Sequence, residues 1–242
     1  MDNYIFVGHW PPPFGGISSH LQLLLPAIAS RGHSVFLINV VNSPNITSYS
    51  FVDGVHIHTI RPVEYLKQHF FPILFKSSLL FFKHKFSFAS FKPLIYGSIL
   101  AHKALSLLQS RSHPSHSFLF THDNNKALIN LFLDKHPGLF LFNTIYADFM
   151  LHPRKYFPLK RLYRFALSKS HTLLSCSNYC VSSASLYLDM YFPTHVFYNN
   201  VDPIFFHPDN SPNHVRTLHN IPTNAFVLLF FARMNKSMGL DF

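Results

Sequence analysis

The chain has 242 residues, 48% hydrophobic and only 12% charged, with a formal net charge of +10 before any of its 18 histidines is protonated. That length buries one large core or two smaller ones, and the positive balance favours anionic partners: phosphorylated sugars, an acidic membrane surface or nucleic acid. No nucleic-acid motif accompanies the charge, so nucleic acid is not an expected partner, and Met1-Asp2-Asn3 lacks the basic region of a secretory leader, which makes the cytoplasm the expected location.

From the amino end, Tyr4-Ile5-Phe6-Val7 predicts a strand that runs into the Pro-rich loop HWPPPFGGISSH. A helix follows from Ser18, with Leu21, Leu24, Leu25, Ile28 and Ala29 at helical spacing and Arg31-Gly32 as its stop. Pro26 lies inside it and is expected to kink it. Gly15 and Gly16 at the helix mouth let the backbone approach a ligand without a Cβ in the way, and the unpaired amides of the first turn then point at an anion. The same residues also suit an ordinary strand–turn–helix connection. A second strand at 34–41 completes a βαβ unit, which makes the sheet parallel and places the glycine loop at its carboxyl edge.

Residues 55–60 alternate as a strand does. From Glu64 to Lys92 the chain is crowded with phenylalanine and lysine, and its apolar runs are broken by Pro72, Lys76 and Lys83, too short to span a bilayer. Two readings stand: an amphipathic surface that dips into a headgroup region, with Lys76, Lys83 and Lys85 as membrane contacts, or a core-facing helix with a solvated basic face. Beyond it the chain alternates: a helix at 94–110, a strand at 118–121, a helix capped by His122-Asp123-Asn124-Asn125, a strand at 139–145, a helix near 159–167, a strand at 172–175 and a helix from Ser177. This is the pattern of an α/β, doubly wound sheet, whose strand ends on one edge should hold the chemistry. Cys176 and Cys180 do not make a metal site by themselves and read as buried, reduced thiols; no metal is expected.

The string FVGHWPPPFGGISSHLQLLLPAIASRGHSVFLINV resembles the opening of family 4 retaining glycosyltransferases of the GT-B fold, matching at Gly15, Gly16, His20, Arg31, Gly32 and His33. A second match, in the right order, is Asn199-Asn200-Val201-Asp202 with Phe206 and Pro208, which resembles the family's Asn-Gly-Val-Asp…Phe-x-Pro signature with Asn200 in the glycine position. A third is the apolar run 226–231 with Ala232-Arg233 and Met238-Gly239-Leu240-Asp241, similar to the first strand and Gly-Arg…Lys-Gly-Leu-Asp of the family's donor-binding domain. Arg233 stands where the family has its arginine, Met238 replaces the lysine, and Lys236 is a candidate substitute. Tyr146 takes the place of a histidine that borders the donor phosphate in the family.

The resemblance implies a Rossmann-like amino-terminal GT-B domain over 1–208, a linker at 209–225 and, at 226–242, the first strand and loop of a truncated second domain. It further implies transfer of a sugar, with retention, from a nucleotide-sugar co-substrate to a lipid-linked or saccharide acceptor, with no obligatory metal. Gly15, Gly16 and Arg233 would meet the donor phosphates; His20 and Tyr146 are the catalytic candidates. Because the family's E-x7-E glutamates have no counterpart here, the chain is expected to be inactive alone; it reads either as a truncated product or as one half of a split transferase whose partner is a separate subunit carrying the second domain. Two alternatives are a non-catalytic acceptor- or membrane-binding half-enzyme, peripheral on the inner membrane face, and a GT-B sugar-nucleotide epimerase.

Overall fold

A computed structural model describes residues 2–11, 15–41, 47–109, 116–145, 157–199, 201–203, 207 and 213–228. The chain divides into two compact units, Met1–Val201 and Asp202–Phe242. In the first, β1 (Asn3–Gly8), α1 (Gly16–Ala29) and β2 (Ser34–Val40) form the expected βαβ unit. A hairpin of β3 (Tyr49–Val52) and β4 (Val55–Ile60) follows, then α2 (Pro62–Gln68), α3 (Phe70–His84) and α4 (Phe91–Gln109). The remainder comprises β5 (Ser117–His122), α5 (Asn130–Leu133), β6 (Leu139–Ile145), α6 (Lys160–Leu167), β7 (Thr172–Ser175), α7 (Asn178–Leu188) and β8 (Thr194–Val196). In the second unit the described helix is α8 (Asn213–Leu218), after which the Arg216 guanidinium donates to the carbonyls of Pro222 at 2.9 Å and Ala225 at 3.3 Å.

The eight strands make one sheet in the order β3-β4-β2-β1-β5-β6-β7-β8, parallel throughout except for the β3–β4 pair. All seven residues of β2 are buried, as a central strand covered on both faces requires. Edge strand β3 was not legible beforehand. It is four residues long and half exposed, and its one clear signal is the Asp53-Gly54 turn, where φ is positive at both residues as a two-residue hairpin demands.

Strand alternation sorts the side chains onto two faces. Phe6, Leu37 and Val35 meet Leu21 and Leu25 of α1 on one side. Ile5, Val7, Ile38, Leu119 and Leu141 meet Ile99, Leu100 and Ala104 of α4 on the other. Further along that second face, α6 and α7 contribute Leu162, Tyr163, Ala184 and Leu188 against Ile145 and Leu173. The α1 helix continues past Pro26, which sits in its last turn and leaves one backbone donor missing there. After β5 the expected helix begins as a 3-10 segment, Asn124–Ile129, and becomes α-helical only for the single turn of α5. The predicted strand at 226–233 is not assigned over 226–228, and its remainder lies outside the described residues.

Candidate functional site at the carboxyl edge of the sheet

The first unit has its topological switch at β1, which is flanked by β2 on one side and β5 on the other. Chain leaving β1 turns toward α1, whereas chain leaving β5 turns to the opposite face, so the carboxyl ends of these two strands open a crevice. On the α1 side of this crevice lies a cavity of about 170 Å³. Its floor is apolar, built from Phe6, Phe120, Leu24, Ile28 and Leu174, and its polar groups are His20, His122, Thr144, Cys176 and Asn199. The rings of Phe6, Phe120 and Phe142 stack in a row at 4.8 and 4.9 Å between centroids, a stiff platform made by three neighbouring strands.

His20 is buried on the first turns of α1, its ring 5.9 Å from that of His122 and 5.4 Å from that of Phe197. His122 ends β5 and is buried; burial first, then the neighbouring His20 and Lys126, push its pKa down to about 3. At neutral pH it is therefore an uncharged imidazole, able to orient a hydroxyl but too weak to serve as a general base. Below the platform, the Thr121 hydroxyl donates to Asn143 Oδ1, and the Asn143 amide donates to Ser170 Oγ at 2.6 Å, which also accepts from Asn130 Nδ2 at 3.1 Å. This network ties β5 and β6 to the end of α6, so the strand ends hold a fixed spacing.

Gly15 and Gly16 open α1, but the Gly15 amide is occupied: it donates to Ser18 Oγ at 2.8 Å. That amide is thus not one of those expected to face an anion. Its backbone is extended, a conformation open to any residue, and among the described residues a Cβ on Gly16 would meet nothing within 4 Å. Tyr146, Arg233 and Lys236 lie outside the described residues. Lys76 and Lys83 are exposed on α3, and Lys85 is exposed just after it in a left-handed conformation, all distant in sequence and element from the switch point. Ser177 does what a cap does: its Oγ accepts from Cys180 N at 3.3 Å. Cys180 is buried, whereas Cys176 is half-buried on the cavity wall; burial first, then Cys180, raise the Cys176 pKa, which keeps it a thiol. Among the described residues no group of three or more His, Cys, Asp or Glu could hold a metal ion.

On the other face of the same crevice is a cleft of about 310 Å³ lined by His9, Lys92, Tyr96, Asp123, Asn125 and Lys126. Lys126 is 1% exposed, and sequence reasoning missed it. Its ammonium donates to the His122 carbonyl at 3.0 Å, lies 3.3 Å from His9 Nε2 and pairs with Asp123 at 3.5 Å. Burial lowers its pKa, opposed by Asp123; burial and Lys126 together lower that of His9. Asp123 sits at φ +108°, sparsely allowed for a residue with a side chain, while its carboxylate accepts from Asn125 N at 3.1 Å. The expected capping role is present, and the same carboxylate serves both the cap and the Lys126 ion pair. The available signal was Lys126 four residues after His122, the reach of one helical turn. Chemically the two cavities offer an aromatic platform with neutral hydrogen-bonding groups on one side and buried positive charge on the other.

No family model matches the chain, and no curated protein matches it in sequence. Its fold, however, recurs among solved structures. Sucrose-phosphate synthase from Thermosynechococcus elongatus aligns with a TM-score of 0.59 at 12% identity, over 93% of this chain and 54% of that one. An α,α-trehalose-phosphate synthase (UDP-forming) from Burkholderia xenovorans, in complex with glucose-6-phosphate, aligns with a TM-score of 0.52 at 12% identity, over 84% and 50%. An E. coli trehalose-6-phosphate protein bound with UDP-2-fluoro glucose gives 0.51 at 12% identity, over 90% and 54%. The chain therefore spans about half the length of the structures it resembles, and at these identities the likeness is one of fold: an α/β unit with the mostly parallel, Rossmann-like sheet of the GT-B glycosyltransferases.

Proposed function

We propose that this chain supplies the acceptor-side part of a retaining, family 4-like glycosyltransferase that moves a sugar from a nucleotide-sugar to a membrane-associated or polysaccharide acceptor. The observation that carries the reading is the switch-point crevice on a GT-B fold, where His20 of α1, His122 and Thr144 line one cavity floored by Phe6 and Phe120. In the reaction the bond from the anomeric carbon to the diphosphate oxygen breaks, a bond to the acceptor oxygen forms on the same face, and the acceptor proton leaves with the phosphate. The amino end of α1 at Gly16 stabilises the leaving diphosphate, and no metal is needed. The Phe6–Phe120 platform suits the apolar face of a sugar ring, with His20 and the neutral His122 imidazole orienting its hydroxyls. Lys92 and Lys126 favour an anionic acceptor.

A second reading, an acceptor-binding protein without catalysis, is favoured by Met238 in place of a phosphate-binding lysine and by the occupied Gly15 amide. One experiment separates the two. The purified protein, alone and supplemented with lysate of its source cells to supply a separate donor-binding part, is incubated with radiolabelled nucleotide-diphosphate sugars and cell-envelope extracts, and the product's anomeric configuration is read by NMR. Transfer with retention, lost on His20→Ala, supports the enzyme; acceptor binding without turnover supports the second reading, and inversion refutes the first.

A further inference from the structure

We infer that the outward face of α3 is a docking surface for an anionic lipid bilayer, with a lysine-lined groove beside it that takes lipid phosphate. Phe71, Phe75, Leu79 and Phe82 stand at i, i+4, i+8 and i+11, one stripe of a helix, and are 83%, 70%, 59% and 73% exposed. The opposite stripe of the same helix is already spent on the core: Ile73 and Ser77 are buried, and Ser77 donates to the Ile73 carbonyl. A helix that packs one apolar face inward normally turns a charged face to water. Here the outward face is a second apolar one, and Phe88, 87% exposed, follows just beyond it. An aromatic surface of this extent on a soluble chain marks an interaction site.

The charge around it selects the partner. Lys76 and Lys83 border the stripe and, with Lys135 and Lys169, line a groove of about 400 Å³ whose walls include Leu80 and Phe165. Among the described residues only Lys169 of these four has a carboxylate within reach, Asp134 at 3.0 Å. No aspartate or glutamate occurs in the sequence between Glu64 and Asp123. Phenylalanines that insert below the headgroups, ringed by lysines at headgroup level, are the arrangement of an interfacial element on an acidic bilayer. A second copy of the chain fits poorly, because a two-fold contact sets the same patch against itself and brings lysine to lysine. The inference is independent of sugar transfer, and its failure leaves the transferase reading untouched.

The test is cosedimentation of the whole chain with vesicles of phosphatidylglycerol and phosphatidylcholine, beside vesicles of phosphatidylcholine alone. Binding to the acidic vesicles and release at high salt are expected. The variant Phe71→Ser, Phe75→Ser, Phe82→Ser should lower the partition coefficient by roughly a hundredfold or more. Lys76→Gln, Lys83→Gln, Lys135→Gln should lower it by about a hundredfold, from roughly fivefold per lysine. All six side chains are exposed, so the melting temperature should hold. As a check that needs no loss of binding, Phe75→Trp fluorescence should be quenched by brominated acidic lipids. Equal binding to both vesicle types, binding unchanged in either variant, absence of quenching, or a dimer in sedimentation velocity that the serine variant dissociates would each overturn the inference.

Discussion

Acid should unfold this protein chiefly through one imidazole. His122 is buried at the end of β5, with a pKa held from 6.5 down to about 3 by burial and by the nearby His20 and Lys126. In the unfolded chain the same ring charges near pH 6.5, so between these values the unfolded state binds one proton more than the folded state. The sign follows: stability is fully present above pH 6.5 and is lost as pH falls toward 3, at about 1.4 kcal/mol per pH unit. Carried through the whole window, the loss reaches roughly 5 kcal/mol, comparable to the entire stability of an ordinary domain. His58, lowered to about 4 by burial and by Lys103, pulls the same way, but it is half-buried and solvent screening reduces its share. Urea unfolding at pH 7.5, 6, 5 and 4 on the wild type and on His122→Gln measures the effect, because glutamine keeps a polar side chain that does not titrate. Between pH 5.5 and 4 the wild-type curve should fall more steeply than the variant's by about 1.4 kcal/mol per pH unit. Parallel curves, or a ring-proton NMR titration of His122 with its midpoint above pH 6, would refute the reasoning.

Asp123→Asn keeps the amide oxygen that caps Asn125 but strips the buried Lys126 ammonium of its carboxylate; a stability loss of about 2–3 kcal/mol at pH 7 is expected, read from urea melts. The loss should shrink as pH rises toward 10, where the lysine, its folded pKa already lowered by burial, sheds its proton, and Asp123→Asn with Lys126→Met should recover most of it. A double variant no better than the single would rule out the ion pair as the cause. Gly97→Ala gains about 1 kcal/mol of helix propensity, but its Cβ would lie 2.8 Å from Leu128 Cβ and 2.9 Å from the Leu128 carbonyl oxygen. Overpacking against that backbone costs about 1–3 kcal/mol, so the melting temperature should fall by a few degrees; a rise would mean that the 3-10 segment yields.

Much of the architecture was legible because it rests on local chemistry. Apolar runs with turn signals placed β6 and β7 at their observed bounds, and Ser177 was readable as a cap because a serine one residue before a helix has that job nearby. Alternation of strands and helices required a parallel, doubly wound sheet, and the glycine loop required its carboxyl edge. Edge strand β3 escaped, since four half-exposed residues carry too little pattern to distinguish them from loop.

The site was legible in place but not in membership. Sequence order put Gly15, Gly16 and His20 at the carboxyl edge of the sheet, because those residues follow β1 directly. It could not bring His122, Thr144, Cys176 and Asn199 to the same cavity, since their meeting depends on the order β1-β5-β6-β7 and on which face each side chain takes. Nor could it reveal the buried Lys126, whose charge is sustained by groups on β1's exit loop and on β5's last residues, or that α3 keeps one apolar stripe for the core and turns a second one outward. Periodicity records how apolar residues are spaced along one element. Only the packing of elements against each other decides which face is covered, and burial in turn sets the charge that a histidine or lysine can carry.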